Sequence, residues 1–254
     1  MVIPFRNRRG EGGPRVQNLL RVAQALNFQT RTDFTLAIVE QDSEPCNRAL
    51  LEDLADVYVF DPYGGPFSRA RAINAGARLA EKNIGILDSD LLPGFDFVEH
   101  GLEYLAMTGV VLPFTYVHYL TETTSGGIQA DAAAQYPDLL RNPALWPPSI
   151  KVSHESVGGA LWIARDIFDA VGGYDEHFVG WGVEDNDFFN RLVQVAQVVR
   201  LNKHMFHLWH PVPERHGGCQ ERNRHRFKQR FPEGAVKMGP HIIPVDVTHN
   251  RGTQ

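Results

Sequence analysis

Cysteine is scarce in this chain: Cys46 and Cys219 are the only two in 254 residues, far apart and outside any zinc-ligand spacing. That excludes a disulfide framework or a cysteine-built zinc site as what holds the fold together, and it makes a reducing setting the expectation, cytoplasmic or peripheral to a membrane. Long apolar runs are missing as well. No stretch approaches the roughly 20 residues that span a bilayer, and Met1-Val2-Ile3-Pro4-Phe5 leads into strand-like sequence without a signal-peptide pattern. Positive charge is not in excess, since 25 Lys and Arg face 30 Asp and Glu. A net charge of -5 gives no general attraction to nucleic acid or an anionic surface, so any anion site must be local. Repeats, linkers and low-complexity tracts are absent too, which makes one domain over 1–254 the expectation.

What is present is the pattern of an α/β fold. Val2–Phe5 is a short apolar strand that delivers Arg6-Asn7-Arg8 to a sheet edge, and Val16, Leu19, Leu20, Ala23 and Leu26 then recur at helical spacing. Phe34–Val39 is the next strand, ending in Glu40-Gln41-Asp42. A helix over Arg48–Leu54, a strand over Val57–Phe60, a helix over Ser68–Ala80 capped by Ser68 and a strand over Ile84–Leu87 follow. This alternation predicts a mostly parallel central sheet flanked by helices, with functional loops at the carboxyl ends of the strands. Arg6, Gln41, Asp42, Asp88 and Asp90 all fall at such ends. Further on, Phe97–Met107 reads as a helix and Val110–Phe114 as a strand, and 117–150 reads as an irregular excursion. Gly158–Ala164 is a strand, Ile167–Val171 a helical turn stopped by Gly172-Gly173, and Glu184–Ala196 a helix with Phe188, Leu192 and Val195 on one face. Val198–Leu208 is the last strand region, and the residues from Gly239 read as a loose tail.

Several stretches carry chemistry. Asp88 and Asp90 are one residue apart and, on extended backbone, leave the strand together toward a shared cationic partner such as a divalent metal with a diphosphate. Trp181 sits between Gly180 and Gly182, a flat floor for the C–H face of a sugar. Directly after it, Glu184 and Asp185 open a helix, where free N–H groups and the dipole favour ionised carboxylates able to take a hydroxyl proton. His204, His207 and His210 supply imidazoles; His207 and His210 reach one ion only if the chain turns between them. Arg6, Arg8 and Arg69 suit a diphosphate or a uracil and ribose edge. Gly158 and Gly159 allow close backbone approach to a donor sugar. Pro211–Arg224, basic and holding Gly217-Gly218, reads as a lid that closes over bound nucleotide.

Six segments in order resemble the GT-A glycosyltransferases, and within them the β-1,4-galactosyltransferase group: Ile3-Pro4-Phe5-Arg6-Asn7-Arg8, Phe67-Ser68-Arg69-Ala70, Asp88-Ser89-Asp90-Leu91-Leu92-Pro93, Gly158-Gly159-Ala160, Gly172-Gly173-Tyr174 and the run from Gly180-Trp181-Gly182 to Arg191. The resemblance implies a GT-A, Rossmann-like fold, with a nucleotide-binding part over about 1–115 and an acceptor-binding, metal-completing part over about 151–240. It implies Asp185 as catalytic base, with Trp181, Gly182 and Glu184 at the acceptor and Gly158 and Gly159 at the sugars. Asp90 with His207 and His210 would hold manganese or another divalent cation. Pro4, Phe5, Arg6, Arg8, Phe67 and Arg69 would bind the nucleotide, joined by Gln41, Asp42, Asp88 and Ser89. The implied partners are a UDP-sugar donor, galactose or N-acetylgalactosamine favoured, and a saccharide acceptor, with no nucleic acid. Val183 stands where the family has Gly and Asn186 where it has an acidic residue, departures that bear on the acceptor. Other readings of the chain are a GT-A transferase with a different nucleotide sugar, a non-catalytic carbohydrate-binding protein, and nucleic-acid binding through Arg215–Arg230.

Overall fold

The computed structural model describes residues 1–7, 13–128, 148–211, 218–236 and 239–247. Its first half alternates as expected: β1 (Val2–Phe5), α1 (Pro14–Asn27), β2 (Ala37–Asp42), α2 (Arg48–Leu54), β3 (Val57–Pro62), α3 (Arg69–Ala77), β4 (Asn83–Leu87), β5 (Leu91–Leu92), α4 (Phe97–Thr108) and β6 (Val110–Leu112). Then come β7 (Tyr116–Leu120), α5 (Glu122–Gly127), β8 (Ser149–His154), β9 (Ala160–Ala164), α6 (Arg165–Ala170), α7 (Glu184–Leu192), β10 (Val198–Leu201), β11 (His204–His207), α8 (Cys219–Arg230) and β12 (Ile242–Val245).

Side chains alternate across a strand, and here both faces are apolar. Ile3, Phe5 and Ile38 enter one core with Leu19, Val22 and Leu26 of α1 and Phe97, Val98 and Leu105 of α4. Val2, Val39, Ile84 and Ile86 enter the other, with Ala70 and Ile73 of α3 and Phe188 and Leu192 of α7. Such two-sided burial is what a sheet wound by helical crossovers requires. The strands run in the order β12-β10-β6-β9-β4-β1-β2-β3. All neighbours are parallel except β9, which lies antiparallel between β4 and β6. Four further strands form a second sheet in the order β5-β11-β7-β8.

Several expectations are corrected. The second strand begins at Ala37 and includes Glu40-Gln41-Asp42, because β2 pairs with β3 through Asp42. The excursion from 117 is regular over β7 and α5: Tyr116–Leu120 alternates poorly because it pairs with β8 and β11 outside the main sheet. The last strand region splits at Asn202-Lys203, β10 joining the main sheet and β11 the second. The helix from Glu184 stops at Leu192, which leaves Val195 58% exposed, off the buried face. The tail from Gly239 contains β12, paired along its length with β10.

Candidate active site

Asp90 immediately precedes β5, whose antiparallel pairing with β11 sets Leu91 opposite His207. After His207 the chain leaves strand geometry and turns, held by Asn18 Nδ2 on the Trp209 carbonyl and by Trp209 N–H on Ser125 Oγ. The turn brings His210 back, so that its Nε2 lies 3.1 Å from one Asp90 carboxylate oxygen and His207 Nε2 lies 3.7 Å from the other. Ligand atoms of all three residues lie within 4.8 Å of one another. His210 Nδ1 is 2.9 Å from the Pro211 carbonyl; a proton donated there leaves Nε2 its lone pair for a cation. Tyr119 stacks on His207 at 4.8 Å between ring centres. Burial disfavours ionisation of Asp90, but His207, His210 and Arg15 outweigh it and hold the carboxyl well below the usual range. One carboxylate oxygen and two imidazole nitrogens on braced backbone fit a divalent transition ion.

Asp88 turns elsewhere, which corrects the expectation of a shared partner. Alternation governs direction only along a strand, and β4 ends at Leu87. Asp88 accepts from Arg69 Nε at 2.6 Å, while its N–H donates to the Gly159 carbonyl at 2.8 Å. Burial, helped by Asp90 and Asp185 and opposed by Arg69, pushes its carboxyl up to about 7. Arg69 Nη1 meets Asp185 Oδ1 at 2.5 Å, and Tyr174 Oη donates to the same oxygen at 3.4 Å. Tyr174 is itself stacked on Phe188, ring centres 4.1 Å apart. In the sequence Tyr174 shows only as a hydroxyl directly after Gly172-Gly173, with nothing to mark its partner.

Around the start of α7 the geometry is tight. A Cβ on Gly158 would stand 2.1 Å from Asp185 Oδ2, so the group that closes on this glycine is the carboxylate. Glu184 Oε2 accepts from Gly182 N–H at 3.2 Å, and burial, with Asp185 adding, pushes the Glu184 carboxyl up to about 7. Trp181 is 69% exposed, a platform at the surface rather than a core residue. Val183 takes φ 62°, the left-handed conformation natural to glycine.

The nucleotide set divides. Pro4 and Phe5 are buried within β1, and Phe67 is half-buried, its carbonyl accepting from Gly180 N–H at 2.8 Å. Arg6 Nη1 donates to the Gly65 carbonyl at 2.7 Å and Nη2 to Asp42 Oδ1 at 3.3 Å. Arg6 Nε and Asp42 Oδ2, both buried, have no hydrogen-bond partner among the described residues. The Gln41 amide is engaged by Asp61 and by the Ser68 backbone, tying β2 to the start of α3. Ser89 lies in the turn between Asp88 and Asp90. Arg8 and most of the loop between Pro211 and Gly218 lie outside the described residues, but Cys219–Arg224 is helical, with Cys219 and Asn223 buried. Arg226 and Arg230 pair with Asp175 and Arg230 also with Asp187, so these two basic side chains serve internal ion pairs.

Residues 147–211 match a family model described as the N-terminal domain of galactosyltransferase. That segment carries Gly158, Trp181, Asp185, His207 and His210. Over that segment the chain is galactosyltransferase-like, and it sits in a mixed α/β fold with a large, mostly parallel central sheet. Among solved structures, the catalytic domain of Drosophila beta1,4-galactosyltransferase 7, in complex with xylobiose, is 21% identical with a TM-score of 0.41; the match covers 78% of this chain and 62% of that one. This chain thus spans less than two thirds of that structure's length. Comparison with curated proteins gives no match.

Proposed function

We propose that the protein is a metal-dependent inverting glycosyltransferase, a single catalytic domain that moves a sugar from a UDP-sugar to a hydroxyl of a saccharide acceptor. Galactose and N-acetylgalactosamine are the favoured donor sugars. The observation that carries this reading is a pair of acidic centres with different neighbours, both felt by Asp88: Asp90 with two imidazoles, and Asp185 at a helix start close in sequence to the exposed Trp181. Asp90, His207 and His210 would hold a divalent cation, manganese by donor type, which when bound neutralises charge on a departing diphosphate. Arg6 Nε and Asp42 Oδ2, buried at the ends of β1 and β2 and without a hydrogen-bond partner among the described residues, suit the polar edge of a nucleotide. Trp181 stacks the acceptor, and Asp185 takes the proton of its attacking hydroxyl. A single carboxylate base acting on the acceptor hydroxyl favours inversion. Among the described residues no helix is long and apolar enough to cross a membrane. We place the protein in the cytoplasm, where its two free cysteines stay reduced.

The test is direct. UDP is expected to bind in calorimetry only with manganese present, and transfer from an α-linked UDP-sugar is expected to give a β product by NMR. Asp185→Asn is expected to lower turnover about a hundredfold to ten-thousandfold with little change in UDP affinity. Full activity in excess EDTA, or an α product, contradicts the reading.

A further inference from the structure

We propose that Arg69 is the positioning residue of the acceptor base: it holds Asp185 by Oδ1 so that Oδ2, lying against the bare backbone of Gly158, is the oxygen that takes the proton. The inference rests on the glycosyltransferase reading and replaces the nucleotide role that motif resemblance gives Arg69. Arg69 is the first residue of α3, just after the N-cap Ser68, and it is 9% exposed. Its guanidinium is planar, and its directions are committed: Nε to Asp88, Nη1 to Asp185, with the Tyr174 ring 5.9 Å from its centre. Two of its five N–H donors are thus given to protein carboxylates, one of them Asp185.

The two Asp185 oxygens are unequal. Oδ1 receives Arg69 and the Tyr174 hydroxyl, whereas no donor reaches Oδ2 among the described residues. Oδ2 stands where a Cβ on Gly158 would be, only 2.1 Å away. Gly158 has no left-handed φ, so the demand on it is for space and not for conformation. The loop that carries it is fixed on both sides, by Arg200 Nη1 on the Ser156 carbonyl at 3.0 Å and by Asp88 N–H on the Gly159 carbonyl. In the transfer step the acceptor oxygen bonds to the anomeric carbon and its proton passes to Asp185 Oδ2. The bond from that carbon to the diphosphate oxygen breaks, and the electron pair leaves with the diphosphate. The charged and titratable groups facing Asp185 are Arg69, Asp88, Glu184 and Tyr174. Arg69 is the only cation among them, and its charge lies against Asp185 Oδ1.

Three variants test this. Arg69→Lys keeps the charge but loses the fork; it is expected to lower kcat about tenfold to a hundredfold, with UDP–manganese affinity within about twofold of wild type. Arg69→Met loses the charge, and the acid limb of its pH–rate profile is expected to move up by about one pH unit or more. Gly158→Ala leaves Arg69 untouched and is expected to reduce kcat while UDP binding holds, a readout that survives if the Met variant fails to fold. UDP affinity that falls tenfold in Arg69→Lys at unchanged kcat would make Arg69 a nucleotide ligand and overturn the inference. So would a Gly158→Ala enzyme with wild-type turnover, or an acid limb that stays in place in a folded Arg69→Met. A wild-type protein that transfers nothing ends the function reading itself, whereas active wild type with any of these contrary results ends the inference alone.

Discussion

Val183 carries a β-branched side chain at φ 62°, and it does so at the N-cap of the helix that presents Glu184 and Asp185. A non-glycine residue held in that region costs about 1–3 kcal/mol, while glycine gives back about 0.5–1 kcal/mol through its freer unfolded chain. Val183→Gly is therefore expected to stabilise the protein by about 1 kcal/mol, seen as a higher urea midpoint at unchanged slope; a lower midpoint counts against strain at this position. The departure from family pattern at Val183 was visible in the sequence, but its conformation was not. Asp185, Trp181, Asp90 and His207 stood out in the sequence as candidates because each lies in a short motif whose spacing limits its geometry. The work of Arg69 and Gly158 was not, since it depends on contacts between segments far apart in sequence: Arg69 meets Asp185 across 116 positions.

The helices α7 and α8 are joined by carboxylates rather than by an apolar seam alone. Asp187 is fully buried and takes Arg191 Nε at 2.9 Å from its own helix and Arg230 Nη1 at 2.6 Å from the next, while Asp175 takes Arg226 and Arg230. Asp187→Ala leaves Arg191 half-paired in the interior and is expected to cost about 3 kcal/mol, less any part that the more exposed Arg230 recovers from water. Thermal melting of the variant checks this, and an unchanged midpoint would mean that the pair contributes nothing net. In the sequence Arg226 and Arg230 read as part of a basic stretch open to nucleic-acid binding, because a charge run has no period that names its partners. β12 was unreadable for another reason. It is four residues long and contains Pro244, a residue that argues against a strand in sequence, and it lies at the sheet edge.

At the scale of the whole molecule, pH acts in part through carboxyls such as Glu184 that the fold prefers uncharged. The Glu184 carboxyl rises from 4.5 to about 7, so between those values the folded protein holds a proton that the unfolded chain has released. Its contribution to stability is complete below about 4.5 and is lost as pH rises through about 7. Metal-free protein is expected to unfold at lower urea as pH increases across that window, and Glu184→Gln to flatten the decline; identical slopes in the two proteins would contradict the assignment. The mostly parallel sheet was legible from the alternation of strands and helices, but the place of β9 was not, since no local pattern says that Ala160–Ala164 inserts between β4 and β6. That placement has a consequence for synthesis. β1 to β4 leave the ribosome early with the edge of β4 unpaired, and β6 has no neighbour to its β4 side until Ala164 has emerged. The β4 edge can thus close only after Ala160–Ala164 has been made, and the far edge of β6 only after Val198–Leu201, so the sheet is completed late in synthesis.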